Sequence, residues 1–75
     1  MNIDLRSLRH LVVLARHLSF TKAAQELCLT QSALTRSVQA SERQLETRLF
    51  DRDRGGVHLT RVGRAFVERA AALLR

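Results

Sequence analysis

Gln31, Ser32, Thr35, Arg36 and Gln39 recur on one side of a helical stretch and carry amide, hydroxyl and guanidinium groups. This chemistry hydrogen-bonds without reacting. A glutamine amide matches adenine N6 and N7, and an arginine fork grips a phosphate or takes guanine O6 and N7. Ser32 and Thr35 are short enough to let a backbone come close while offering a hydroxyl to a base edge or phosphate. Gln31 stands in the first turn, where side chains reach deepest into a groove, and Thr30 before it joins the candidate contacts.

Two further groups suit phosphate. Thr21 and Lys22 lie at the start of the preceding helical stretch, whose free N–H groups and positive dipole end attract anions. Arg52 precedes a charged, Gly-rich tip and Arg54 lies within it, and from there both can follow the backbone or enter a narrow minor groove. Asp51 and Asp53 offer these two arginines an alternative, surface ion pairs within the tip.

Other chemistries lack their residues. There is no Ser/His/Asp arrangement, Gly-rich phosphate loop or pair of carboxylates at a suitable spacing, so neither catalysis nor a cofactor is expected. His10 and His17 are seven residues apart, about 10 Å along a helix, too far to share an ion. Cys28 is the only cysteine, which excludes an intrachain disulfide and fits a reducing, cytoplasmic setting. No apolar run is long enough to span a membrane, and no signal-peptide pattern opens the chain.

The elements that position these groups are legible from periodicity. The chain has 75 residues, a formal charge of +6, 45% hydrophobic content, no Pro and only three aromatic residues, all Phe. That composition implies one small aliphatic domain rich in helix, and its charge suits a polyanion. A first helix is expected from Asp4 to Leu18, with Leu5, Leu8, Val12 and Ala15 at helical spacing and Leu11, Leu14 and Leu18 widening the stripe. Ser19 or Thr21 caps a second helix whose buried side is Ala23, Ala24 and Leu27. Cys28 stands in the following turn, where a non-Gly residue has to tolerate positive φ.

Thr30 caps a third helix reaching about Leu45, with Leu34, Val38, Ser41 and Leu45 behind and the polar front opposite. The second and third helices together make a helix-turn-helix. Leu49 to Thr60 breaks the helical period and reads as a hairpin turning at Asp53-Arg54-Gly55-Gly56. Thr60 caps a last helix running to Arg75. One of its stripes is Val62, Phe66, Ala70 and Leu73; the other, Val67, Ala71 and Leu74, is assigned to dimerisation. The pattern stops without a terminator, which reads as a fragment whose last helix continues.

The expected fold is all-α apart from the hairpin: a winged helix-turn-helix with a three-helix core, a β-hairpin wing and a C-terminal linker helix. Residues 1–60 form the DNA-binding domain and 61–75 begin the linker. The competing reading is a helical protein-interaction module in which the wide apolar stripes work and the basic face is merely solvated. An RNA-binding role is weaker, because exposed aromatics for stacking are lacking.

SFTKAAQEL at 19–27, TQSALTRSV at 30–38, RLFDR at 48–52 and LTRVG at 59–63 resemble the N-terminal DNA-binding domain of the LysR-type transcriptional regulators of bacteria. The resemblance covers nearly the whole chain. It implies dimers or tetramers paired through the last helix, interrupted palindromic operators, and a small-molecule effector bound by a domain of periplasmic-binding-protein type absent from these residues. It puts base reading on Gln31, Ser32, Thr35 and Arg36 and the wing contacts on Arg52 and Arg54. Three positions depart from the family pattern: Ser32 where Pro is usual, Ser41 where Leu is usual and Glu46 where Gly is usual. They predict a less rigid helix start, a polar gap in the core and an altered route into the wing.

Overall fold

The computed structural model describes residues 3–75, so the first two residues of the 1–60 domain lie outside the described part. Four helices and one antiparallel hairpin follow in the order α1 (Leu5–His17), α2 (Phe20–Leu27), α3 (Gln31–Leu45), β1 (Phe50–Asp53), β2 (Gly56–Leu59) and α4 (Arg61–Leu73). This is the expected winged helix-turn-helix.

Each helix begins at a capping side chain. Asp4 accepts from the Ser7 amide, Ser19 from Lys22, Thr30 from Ala33 and Thr60 from Gly63, which satisfies one otherwise orphaned donor at each start. Ser19, rather than Thr21, caps α2. The ends of the first three helices also share one device: Leu18, Cys28 and Glu46 adopt left-handed conformations with φ of 50°, 58° and 56°. None is glycine, so three turns carry the steric cost of a Cβ in that region.

The core is centred on Leu11, Leu14, Leu34 and Leu49, all fully buried, with Val13, Phe20, Ala23, Ala24, Val38 and Phe50 around them. Leu5 heads the expected apolar stripe of α1 yet is 68% exposed, because the core sits one to two turns further along. Ser41 is 2% exposed in the back of α3. No buried side-chain nitrogen or oxygen among the described residues lacks a partner, so the polar gap leaves no orphaned hydroxyl there.

Helix α4 ends at Leu73, short of the expected Arg75, and packs against that core. Ala70 is buried and Phe66 packs against the cluster from outside. Its close seating depends on Gly63, where an added Cβ would lie 2.0 Å from the Leu49 carbonyl oxygen.

Candidate nucleic-acid interface

Helix α3 has two unlike sides. Leu34, Val38 and Ser41 are buried, while Gln31, Ser32, Arg36, Gln39 and Arg43 are exposed and Thr35 is half-buried. The Thr30 hydroxyl accepts from the Ala33 amide at 3.0 Å, yet its own proton remains available to a partner. On the flank, His10 Nδ1 lies 2.7 Å from Ser37 Oγ and ties α3 to α1. Burial, and next the neighbouring Arg6 charge, hold the His10 pKa below its ordinary value.

The start of α2 meets the start of α3 directly. Gln31 Nε2 donates to Thr21 Oγ1. Thr21 and Lys22 are therefore beside the first turn of α3, both exposed. The Cys28 turn that sets this approach is closed by hydrogen bonds from the Cys28 amide to the Gln25 carbonyl and from the Leu29 amide to the Ala24 carbonyl.

The hairpin is tied to α3 by a side chain outside the expected site. Glu42 Oε2 accepts from the amides of Leu49 and Phe50 at 2.7 and 3.1 Å. Arg48 Nη2 donates to the Phe50 carbonyl at 3.0 Å, and Thr60 Oγ1 donates to the Arg48 carbonyl at 2.8 Å. Sequence reasoning missed Glu42 and Arg48, because no local spacing rule links a helical glutamate to amides seven and eight residues later. RLFDR was the only available signal, and it marked the stretch without its partner.

The aspartates do not take the wing arginines. Asp51 pairs with Arg48 at 3.5 Å, and Asp53 accepts from the Gly55 amide at 2.8 Å and lies 3.1 Å from His58 Nε2. The Gly55 amide bond, followed by the His58 contact, keeps the Asp53 carboxyl below its usual range. Arg52 instead lies 4.1 Å from the centroid of the Phe20 ring, a cation–π contact. It thereby borders a shallow groove with Thr35 and Gln39, so the wing arginine adjoins the front of α3. Arg54 is exposed in the two-residue turn between β1 and β2.

Among the described residues, the ion pairs of the carboxylates go to Arg16, His17, Arg48 and His58. Lys22, Arg36, Arg43, Arg52 and Arg54 take part in none of them, and neither do six arginines of α1, α4 and the chain's end. Hydrogen bonding to His17, foremost, and the Arg16 charge hold Glu26 below its ordinary value, at the far end of α2 from its start. The expected dimerisation residues are placed less openly. Val67 and Ala71 are half-buried and Leu74 is 38% exposed, whereas Val62 at 51% and Leu73 at 72% present more apolar surface.

Residues 5–64 match the family described as bacterial regulatory helix-turn-helix protein, lysR family. The SDS degradation transcriptional activation protein of Pseudomonas sp. is 51% identical over 71 residues, covering 95% of this chain and 23% of that protein. The transcriptional activator AmpR of Citrobacter freundii is 46% identical over 65 residues, covering 87% of this chain and 22% of its own. The chain thus spans less than a quarter of either relative. Among solved structures, the BenM DNA-binding domain in complex with catB site 1 DNA superposes with a TM-score of 0.92 at 39% identity, over 96% of this chain and 81% of that one. The CbnR DNA-binding domain bound to DNA superposes with a TM-score of 0.90 at 33% identity, over 96% and 83%.

Proposed function

The chain belongs to the LysR family of bacterial regulatory helix-turn-helix proteins, and from that premise we propose that it binds duplex DNA sequence-specifically to regulate transcription. Helix α3 enters the major groove, with Gln31, Ser32, Thr35, Arg36 and Gln39 facing base edges and phosphates. Thr21, Lys22 and Thr30 hold the backbone beside it, and Arg52 and Arg54 follow the backbone or the adjacent minor groove. One observation carries this reading: the hydrogen-bonding front of α3 is exposed opposite its buried side, and Arg52 of the wing borders one groove with Thr35 and Gln39 of that front. The likeness to two domains solved on DNA supports it.

A homodimer or larger assembly through α4 sets two α3 helices about 34 Å apart on an interrupted palindrome. Val67, Ala71 and Leu74, with the more exposed Val62 and Leu73, supply its apolar surface. A small-molecule effector acts through a further domain outside these residues, the protein works in the cytoplasm, and no step is catalytic. No described helix is long and apolar enough to cross a membrane.

Measuring duplex affinity against salt tests the proposal. Contacts to six or more phosphates lower affinity by about 10³-fold or more between 50 and 200 mM salt. Affinity that stays constant over that range overturns it, and an interaction module with a solvated basic face is then the better reading.

A further inference from the structure

Thr21 opens α2, yet it does not serve as that helix's cap. Ser19 does, its Oγ accepting from the Lys22 amide at 3.2 Å, so the Thr21 hydroxyl is left for other work. It accepts a hydrogen bond from Nε2 of Gln31, the first residue of α3. We propose that Thr21 is a positioning residue that orients the Gln31 carboxamide to read adenine. The proposal rests on the DNA-binding reading above and assigns Thr21 a role beyond touching phosphate.

An exposed glutamine can turn its amide either way and present donors or an acceptor to a base, which discriminates poorly. A carboxamide has two N–H groups and one carbonyl oxygen. With one N–H committed to Thr21, one donor and the Oε1 acceptor remain. Adenine offers an N7 acceptor and an N6 donor, whereas guanine offers two acceptors, N7 and O6. The reversed amide, its oxygen taken by the threonine proton, keeps donors alone and suits guanine. Gln31 Nε2 faces Thr21 Oγ1, which is the first arrangement.

The brace is rigid because its supports are buried. Phe20, Ala23 and Ala24 of α2 and Leu34 of α3 lie in one core, and the Cys28 turn between them is closed by backbone hydrogen bonds. The two side chains therefore meet without either helix having to move. A glutamine held in this way loses less rotamer freedom on reaching a base.

Selection from randomised duplexes with the wild-type chain, Gln31→Ala, Thr21→Val, Thr21→Ser and the Gln31→Ala/Thr21→Val pair tests this. Thr21 is exposed, so valine removes the hydroxyl without disturbing the core. The wild type should prefer adenine, on the order of ten-fold, at the position where Gln31→Ala erases preference. Thr21→Val should shrink that preference to about three-fold or less and leave base preference at other positions unchanged; Thr21→Ser should retain it, and the pair should lose no more base preference than Gln31→Ala. The proposal is overturned if Thr21→Val weakens all sequences alike while the adenine preference persists, which marks a phosphate contact only. A base other than adenine at the Gln31 position overturns it as well. A wild-type chain that selects no sequence overturns the DNA-binding reading itself, an outcome separate from the others.

Discussion

Gly63 lies against the backbone of Leu49 so closely that a Cβ would stand 2.0 Å from its carbonyl oxygen and 2.8 Å from its carbonyl carbon. That contact seats α4 on the end of the segment leading into the wing. Nearby, the Thr60 amide donates to the same Leu49 carbonyl at 3.0 Å, and the Thr60 hydroxyl caps α4 through Gly63. Helix α4 and the wing are thus fastened at one point.

Gly63→Ala should therefore destabilise the fold, reversing the usual gain of about 1 kcal/mol from replacing a helical glycine with alanine. The atoms in the way are backbone and cannot swing aside, so a loss of about 2–3 kcal/mol is expected. In thermal unfolding this lowers Tm by roughly 10–20 °C. An unchanged or higher Tm would show that α4 seats differently in solution.

Cys28 and Glu46 occupy left-handed backbone at the ends of α2 and α3. A side chain there costs about 1–2 kcal/mol, part of which glycine gives back through its freer unfolded chain. Cys28→Gly and Glu46→Gly should each raise stability by about 0.5–1 kcal/mol, read as a higher urea midpoint at constant m-value. A lower midpoint in both variants counts against this turn geometry.

Arg36→Ala and Gln31→Ala should each weaken operator binding by about 1–3 kcal/mol. Gln31→Ala should relax base preference more, since arginine can spend its charge on phosphate. Arg54→Ala should lower affinity nearly evenly across sequences and reduce the salt slope by about 1. Undiminished affinity in both α3 variants removes α3 from the interface.

Stability should fall on acidification in two windows. Burial depresses the His10 pKa, so the folded chain binds fewer protons than the unfolded chain once pH drops through the ordinary histidine value of about 6.5. Its contribution is complete above that pH and is lost as pH falls toward the folded value. Asp4, Glu26 and Asp53 are also depressed, chiefly by hydrogen bonds from the Ser7 amide, His17 and the Gly55 amide respectively. Their contributions are present above the ordinary carboxylate values near 4 and vanish below them. Denaturation followed from pH 8 to 3 checks both windows, and His10→Gln should lack the upper one.

Local patterns were enough to place the helices and the hairpin, because caps, periodicity and Gly turns act over a few residues. Thr30 began α3 as its hydroxyl required, and the alternation of Val57 and Leu59 with His58 marked β2. Stripe width was a weaker guide. Leu5 and Leu73 share helical periodicity with buried neighbours yet face outward, since periodicity gives direction around a helix and not where along it the core lies.

Long-range partnerships were not legible. Asp51 and Asp53 stood nearest the wing arginines in sequence, yet Arg48 and His58 take them and Arg52 stacks on Phe20, thirty-two residues earlier in the chain. By itself the sequence determined element order, the polar front of α3 and the positive charge, all of which follow from residue type and short spacing. Only the tertiary structure decided that Glu42 holds the wing, that Gly63 must lack a side chain and that Thr21 grips Gln31, because each depends on how distant segments approach once a shared core has formed.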